Sequence, residues 1–297
     1  EDGLAAAARQ ASAVFHMAAQ VAVTTSMVEP RDDFDINVRG TLHLLDALRL
    51  SGRRIPLIFA STNKVYGDLA DVEFRLEGGA YRPAEPEIRA HGISEQRPLD
   101  FHTPYGCSKG AADQYVLDYA RSFGLPTAVL RMSCIYGERQ MGTEDQGWVA
   151  HFLIRALEGK TITLYGDGHQ VRDVLWIDDL VRAMRLAMER IDTVTGQVFN
   201  VGGGERNSVS VRGVIDRLQE ITGVDAHVTM ADWRPGDQRI YVSDTARIEK
   251  VLGWRAETSW KAGLEKLVAW LDEAKLDTTL PLLDVGGEVM SASVRGV

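Results

Sequence analysis

The sequence predicts an α/β fold, in which a doubly wound parallel sheet is joined to a smaller α/β lobe. Short apolar runs alternate with amphipathic helical stretches over the first 140 residues, and most of the links between them are short. Strand–helix–strand alternation of this kind is typical of a parallel sheet wrapped by helices. After about residue 140 the elements become shorter and more mixed, which favours a second lobe over a continued sheet.

The elements of the sheet follow from apolar spacing and from the residues at their boundaries. Gly52 and Gly124 each end a helical pattern, and Thr103-Pro104 is typical of a helix start. In the second helix the apolar stripe consists of Phe34, Val38, Leu42, Leu45 and Leu48. The predicted elements are helices at 3–10, 30–50 and 104–123, and strands at 13–18, 57–60 and 127–131.

The second lobe is predicted from a further set of shorter elements. Helices are expected at 148–158, 178–189, 209–222, 244–252 and 260–274, and strands at 162–165 and 197–201. The polar segment 68–103 is expected to be either an insertion that faces the substrate or a disordered surface excursion. We therefore place a sheet domain over 1–140, which also receives later segments, the second lobe mainly over 141–277, and a frayed tail over 278–297.

Composition excludes several classes of protein. The chain has 297 residues, 45% of them hydrophobic and 25% charged, with a net charge of −9. An acidic chain argues against a nucleic-acid partner. No histidine or cysteine spacing indicates a metal site, and no apolar run approaches the length of a membrane span. The two cysteines, Cys107 and Cys134, fit a reducing cytoplasm, where we expect both to be buried thiols.

A tyrosine and a lysine four residues apart, Tyr105 and Lys109, lie on one face of the predicted helix at 104–123. An ammonium group beside a phenol lowers the pKa of the phenol and makes it a general base for a hydroxyl proton. Thr62 follows the strand at 57–60, at the edge where such folds bind ligands, and could hold the same substrate oxygen. A surface helix with an unpaired lysine is the alternative, and spacing alone does not decide between the two.

Two arginines of the second lobe are candidates for binding phosphate. Arg172 begins a predicted strand and Arg234 lies in a turn. A guanidinium group binds phosphate through two parallel hydrogen bonds, although either residue could instead form an ordinary surface ion pair. The glycines 202–204 are expected to form a tight turn rather than a phosphate loop, because no Gly-x-Gly-x-x-Gly pattern is present.

Six short motifs together resemble the extended short-chain dehydrogenase/reductase family, the NAD-dependent nucleotide-sugar epimerases and dehydratases. They follow the order of that family over about residues 13–275. The motifs are His16-Met17-Ala18-Ala19-Gln20, Asn37-Val38-Arg39-Gly40-Thr41, Ser61-Thr62 with Val65-Tyr66-Gly67, Tyr105-Gly106-Cys107-Ser108-Lys109, Arg131-Met132-Ser133-Cys134-Ile135-Tyr136-Gly137, and Arg172-Asp173 with Asp178-Asp179.

The resemblance implies an isomerase with a Rossmann-type sheet, a bound NAD and a substrate-binding second lobe. It implies that Tyr105 is the base, that Lys109 lowers the pKa of Tyr105 and holds the nicotinamide ribose, and that Thr62 holds the reacting hydroxyl. The cofactor-binding residues it implies are Ala18, Ala19, Ala60, Tyr105, Lys109, Ser133 and Cys134. The substrate-binding residues it implies are Thr62, Asn63, Arg172 and Arg234.

Within this family the segments 61–67, 99–105 and 142–152 are most similar to those of the CDP-sugar 2-epimerases, which implies conversion of CDP-paratose to CDP-tyvelose. Family dehydratases carry an acidic pair after the threonine, whereas this chain has Asn63 and Lys64. A 4-epimerase or dehydratase acting on another nucleotide sugar is the alternative, and an inactive homologue that only binds nucleotide sugar is the non-enzymatic one. The family also implies a homodimer or homotetramer, whereas the expected cytoplasmic location rests on the cysteine content.

The glycine-rich phosphate turn, the first strands and the acidic ribose ligand of the family lie upstream of Ala13 and are not in this sequence. They correspond to roughly 60–70 residues, about two βαβ units of the sheet. We therefore expect the chain to be a fragment that binds NAD poorly by itself. We also expect it to expose the edge of its first strand.

Overall fold

A computed structural model describes residues 2–276, so the predicted tail at 278–297 lies outside the described residues. Its helices are α1 Asp2–Gln10, α2 Val23–Val28, α3 Pro30–Phe34, α4 Gly40–Leu50, α5 Pro86–His91, α6 Thr103–Phe123, α7 Trp148–Leu157, α8 Ile177–Glu189, α9 Ile191–Val194, α10 Val211–Thr222, α11 Ala246–Leu252 and α12 Trp260–Leu276. Its strands are β1 Val14–His16, β2 Leu57–Thr62, β3 Phe74–Glu77, β4 Ala80–Pro83, β5 Thr127–Met132, β6 Cys134–Tyr136, β7 Ile162–Tyr165, β8 Val171–Trp176, β9 Gln197–Val201, β10 Ser208–Ser210, β11 Val228–Ala231 and β12 Ile240–Tyr241.

The main sheet has the order β1-β2-β5-β9, and all of its strands are parallel. Every residue of β2 is buried, which is expected of a strand covered by helices on both faces. The predicted α/β class with a parallel sheet is therefore confirmed. β1 is an edge strand among the described residues, and Phe15 within it is 44% exposed.

The helical stretch at 30–50 differs from its prediction in one respect. Residues Asp35–Arg39 form a π-helical segment between α3 and α4. A π segment inserts one extra residue into the turn and rotates the preceding residues around the helix axis. As a result Phe34, predicted on the apolar stripe, is 52% exposed, whereas Leu45 and Leu48 are fully buried.

The segment 68–103 is ordered, so of the two alternatives for it the disordered excursion is wrong, and whether it faces the substrate stays a prediction. It contains the antiparallel hairpin β3–β4 and the helix α5. Val72, Ala80 and Ile93 are buried in one cluster with Ile240 and Tyr241. The segment thus packs against β12, in the second lobe.

The second lobe is built around β8. This strand pairs with β6, β10 and β12, while β7 and β11 form a separate parallel pair. Helices α7, α10 and α12 supply the apolar core beside it, including Leu153, Leu218 and Leu267. None of the helices in residues 2–276 is both long and apolar enough to cross a membrane.

Candidate active site

Several of the predicted site residues lie on or directly after parallel strands of the main sheet. Ala60 and Thr62 lie in β2, and Ser133 directly follows β5. Because β1, β2 and β5 are parallel, their carboxyl ends lie at the same edge of the sheet. Ala18 and Ala19, which follow β1, lie at that edge too, and Ala18 is exposed.

The helix α6 brings Tyr105 and Lys109 against the end of β2. Lys109 Nζ donates a hydrogen bond to the carbonyl oxygen of Ala60 at 2.7 Å and lies 4.3 Å from the ring centre of Phe59. The hydroxyl of Thr62 is close enough to the Tyr105 phenol to hydrogen-bond with it. Both Tyr105 and Lys109 are buried, at 8% and 4% exposure. The predicted trio of side chains is therefore grouped at one place.

The expected lowering of the pKa of Tyr105 is not found in this structure. Burial raises the pKa of its phenol to about 12, and the nearby charge of Asp33 acts in the same direction, while the hydroxyl of Thr62 opposes them. Lys109 is drawn instead to the Ala60 carbonyl group. Burial lowers the pKa of Lys109 to about 8, against the opposite effects of Asp113 and Asp33.

Thr62 and Asn63 connect the strand end to the loop before β12. The Thr62 hydroxyl donates to Asn63 Oδ1 at 3.3 Å and accepts from the backbone N–H of Lys64 at 3.2 Å. Asn63 Nδ2 donates to Gln238 Oε1 at 3.1 Å, and Gln238 Nε2 donates to the carbonyl oxygen of Gly67 at 2.6 Å. No pattern in the sequence indicates Gln238, since it lies 175 residues from Asn63.

The two candidate phosphate-binding arginines have different partners. Arg172 is buried in β8 and binds Asp237, with Nη2 2.9 Å from Oδ1. Arg234 lies 3.7 Å from the ring centre of Tyr165 and 3.2 Å from a carboxylate oxygen of Asp145. The loop between β11 and β12 therefore contains Arg234 and brings Asp237 to Arg172. Their roles towards a diphosphate stay predictions.

Ser133 and Cys134 adjoin the buried carboxylate of Asp173. Ser133 Oγ donates to this residue, and the other carboxylate oxygen accepts from the backbone N–H groups of Gly204 and Ser243 at 3.1 Å each. A side chain at Gly202 would place its Cβ 2.1 Å from the same carboxylate, so these glycines allow close packing, which fits the tight turn expected there. Burial raises the pKa of Asp173 to about 6.

The cysteine prediction is wrong for one of the two residues. Cys107 is exposed, because its position on α6 faces away from the sheet. Cys134 is partly buried and accepts a hydrogen bond from Trp148 Nε1 at 3.4 Å.

Among the described residues, one group has side chains close enough together to hold a metal ion, namely Asp68, Asp100 and His102. The histidine ring lies 3.2 Å from each of the two carboxylates.

Three buried polar side chains beneath Tyr105 form a cluster to which the sequence assigned no role, namely Asp33, Asn37 and Ser108. Asn37 Nδ2 lies 3.2 Å from Asp33 Oδ1 and 3.0 Å from Ser108 Oγ, and Asn37 Oδ1 accepts from the backbone N–H of Gln20 at 2.9 Å. Asn37 and Ser108 occur in the family motifs, but no motif marks Asp33. The group fixes the loop after β1 against α6, next to the alanines expected at the cofactor.

His16 is buried at the carboxyl end of β1 and gives a testable pH dependence. Burial and the charge of Lys109 lower its pKa from 6.5 to about 4. Between those values the unfolded chain binds the proton and the folded chain does not, so stability falls as pH decreases through this window. Between pH 7 and pH 4.5 the free energy of unfolding of the wild type should fall by about 2 kcal/mol more than that of His16→Gln. Urea unfolding at the two pH values measures this difference.

His91→Gln is the control for this comparison, because the side chain of His91 is 59% exposed. Comparing variants cancels the contribution of the carboxyl groups, which all three proteins share. An identical pH dependence in the wild type and in His16→Gln would contradict the assignment.

The residues at the sheet edge fit NAD. Ala18 and Ala19 have small, accessible side chains after the end of β1, and Lys109 offers a cation at the same edge of the sheet. Within residues 2–276, Gln20 Oε1 and Thr24 Oγ1 are buried without a hydrogen-bond partner at the same edge. When bound, NAD supplies a hydride acceptor and donor.

The parallel sheet with a tyrosine, a lysine and a threonine at its carboxyl edge defines an α/β enzyme of the NAD-binding type. A sequence model described as the NAD dependent epimerase/dehydratase family matches residues 2–202. The chain therefore belongs to the NAD-dependent epimerase/dehydratase family, as the motifs predicted. The predictions of an enzyme and of NAD as its cofactor are confirmed.

Individual relatives agree with this assignment. The chain is 43% identical over 261 residues to CDP-paratose 2-epimerase of Salmonella typhi, covering 86% of this chain and 76% of the relative. It is 30% identical over 275 residues to dTDP-glucose 4,6-dehydratase of Salmonella typhimurium, covering 88% and 72%. A crystal structure of UDP-glucose 4-epimerase with UDP-glucose, from Thermotoga maritima, matches with a TM-score of 0.78 and 31% identity, covering 92% and 82%.

A second solved structure is informative about the cofactor. The UDP-glucose 4-epimerase of Thermus thermophilus, in complex with NAD, has a TM-score of 0.78 and 32% identity to this chain. The match covers 92% of this chain and 82% of that protein. Both solved structures carry the Rossmann-like fold that the sequence predicted.

Proposed function

We propose that the protein is an NAD-dependent epimerase that converts CDP-paratose to CDP-tyvelose by transient oxidation at C2. The 43% identity to a CDP-paratose 2-epimerase supports this substrate, and one observation in the structure favours an epimerase over a dehydratase. Thr62 and Tyr105 are grouped at the sheet edge, but the turn after Thr62 offers an amide and an ammonium group, in Asn63 and Lys64, instead of two acids. Elimination of water needs an acid–base pair at this place, whereas epimerisation needs only the removal and return of one hydroxyl proton.

In this mechanism the phenolate form of Tyr105 would take the proton of the C2 hydroxyl. Bound NAD, next to Lys109 and the alanines after β1, would supply the acceptor and donor for the hydride of C2. Thr62 orients the reacting oxygen, and Lys109 provides positive charge next to the phenolate form of Tyr105. Tyr105 gives the proton back at the end of the cycle, so the reaction involves no net oxidation.

The test is to incubate the full-length protein with CDP-paratose and NAD and to follow the sugar by NMR. We expect CDP-tyvelose to form without accumulation of NADH. In D2O, C2 should keep its original hydrogen and take up no deuterium, because the hydride returns directly from the cofactor instead of exchanging with water. Turnover of a UDP-sugar, with none of CDP-paratose, would contradict the proposed substrate. Deuterium at C2 would contradict the hydride mechanism.

A 4-epimerase is the second candidate, because both reported solved structures are UDP-glucose 4-epimerases. The same experiment with UDP-glucose separates the two candidates. A protein that binds CDP-paratose but turns over neither sugar would support the inactive homologue.

We also propose that the protein acts in the cytoplasm as a homodimer or homotetramer. Two large apolar side chains on α6 support self-association through this helix, since Tyr115 is 43% exposed and Phe123 is 52% exposed. Exposed aromatic side chains on one helix favour a contact with another chain.

A further inference from the structure

We propose that Lys64 is a substrate-binding residue that forms, with Arg172, a two-cation site for the diphosphate of the nucleotide sugar. Asp237 is the internal counter-ion that the diphosphate displaces. This inference rests on the proposed function of the chain as an enzyme acting on a nucleotide sugar. It adds a residue and an exchange step that the family motifs do not indicate.

Lys64 extends from the reacting end of the site to the loop before β12. Its backbone N–H binds the Thr62 hydroxyl at 3.2 Å, which places it two residues beyond the residue expected to hold the substrate oxygen. Its ammonium group donates to the carbonyl oxygen of Gly236 at 3.0 Å. The lysine therefore spans the distance between the sugar end and the arginine end of the site.

One carboxylate oxygen is close to both cations. Asp237 Oδ1 lies 2.9 Å from Arg172 Nη2 and 3.9 Å from Lys64 Nζ. The three side chains are only partly accessible, with exposed fractions of 9% for Arg172, 22% for Lys64 and 23% for Asp237. A carboxylate in this position presents the same kind of oxygen that a phosphate group would present to a guanidinium group.

The charges at this place do not balance. Two cations face one close carboxylate, and burial together with the charge of Arg172 lowers the pKa of Lys64. The other charged neighbour of Lys64 is Asp68, which lies 3.2 Å from the ring of His102. Cys134 also faces Lys64, and burial raises the pKa of its thiol, which keeps the thiol neutral. A diphosphate carries more negative charge than Asp237 and would neutralise the site more completely.

Asp237 lies in the loop between β11 and β12, outside any strand. Gly236 before it has a φ of +69°, in the left-handed region, and a Cβ there would lie 2.8 Å from Thr103 Cγ2. The carboxylate is thus carried by a turn that packs against the start of α6. The exchange of Asp237 for a diphosphate changes two ion pairs and leaves the sheet as it is.

The test measures binding of CDP, UDP and inorganic pyrophosphate to the full chain by calorimetry. We expect Lys64→Met to weaken binding of all three by about tenfold or more, and Lys64→Arg to retain most of the affinity. Asp237→Asn should strengthen binding, because it removes the competing negative charge. Lys160→Met is the matched control, since it removes one charge from a lysine that is 56% exposed and remote from the site.

The outcomes separate this inference from the proposed function, because binding is read without turnover. Equal affinities in the wild type and Lys64→Met would overturn the role of Lys64, even if CDP-paratose is epimerised. Weaker binding in Asp237→Asn would overturn the exchange step. Binding of none of the three probes by the wild type would overturn the whole inference. Lys64→Arg, which keeps the charge, shows whether a loss in Lys64→Met reflects the charge or the fold.

Discussion

Replacing Tyr105 with phenylalanine is expected to lower kcat for CDP-paratose by about 10²–10⁴-fold, the usual contribution of a general base. Phenylalanine keeps the ring that packs at the start of α6 and removes only the phenol oxygen next to Thr62. The fold and the affinity for nucleotide sugar should therefore change little. Steady-state rates, together with calorimetric binding of CDP, separate the loss of chemistry from a loss of binding.

Tyr119→Phe is the matched control for this variant. Tyr119 lies on the same helix, is 7% exposed and donates its hydroxyl proton to Asp46 Oδ1 at 3.0 Å, away from the sheet edge. We expect it to keep nearly full activity. Unchanged turnover in Tyr105→Phe, or an equal loss in both variants, would remove Tyr105 from its assigned role.

Because the pKa of Tyr105 is raised, its phenolate form must be stabilised before Tyr105 can act as a base. With a pKa of about 12, forming the phenolate at pH 7 costs about 7 kcal/mol. Positive charge must therefore approach the phenol during the reaction. Lys109 is one turn away and buried, but it donates to the Ala60 carbonyl in this structure. The spacing of the pair was predictable from the sequence, whereas the balance between burial and charge was not.

The fold was predictable where apolar spacing is local. β7 and β9 have the bounds that the pattern predicted, because each is a short apolar run with clear ends. The hairpin β3–β4 was missed, since all four residues of β3 are exposed and give no alternation to detect. Phe34 was misplaced because nothing in the local spacing reports the extra residue of a π-helical segment.

The grouping of the candidate site residues was predictable where they lie in short motifs. Thr62 at the end of β2, and Tyr105 and Lys109 one turn apart on α6, were predicted in this way, and the structure brings them together. Their roles stay predictions. Contacts between distant segments left no such signal. Lys64 and Asp237 meet only because β12 pairs with β8, which places the preceding loop over the end of β2.

The largest expected effect on stability comes from a buried ion pair beneath the site. Arg131 binds Asp113 through two hydrogen bonds of 2.9 Å, and their side chains are 3% and 0% exposed. Ser61 Oγ also donates to this carboxylate at 2.7 Å. We expect Asp113→Asn to lower the free energy of unfolding by about 3–5 kcal/mol, because it leaves the guanidinium group of Arg131 buried without its counter-charge.

Asp118→Asn, one turn further along α6, is the matched control. The pair of Asp118 with Arg121 is exposed, at 40% and 81%, so this variant should leave the free energy of unfolding nearly unchanged in the same urea titration. The double variant Asp113→Asn with Arg131→Met should recover part of the loss, since it removes the unpaired charge as well. Equal losses of stability in Asp113→Asn and Asp118→Asn would contradict this account.

Asp113 lies one turn from Lys109 and raises its pKa, so the Asp113→Asn substitution should also make Lys109 lose its proton at lower pH.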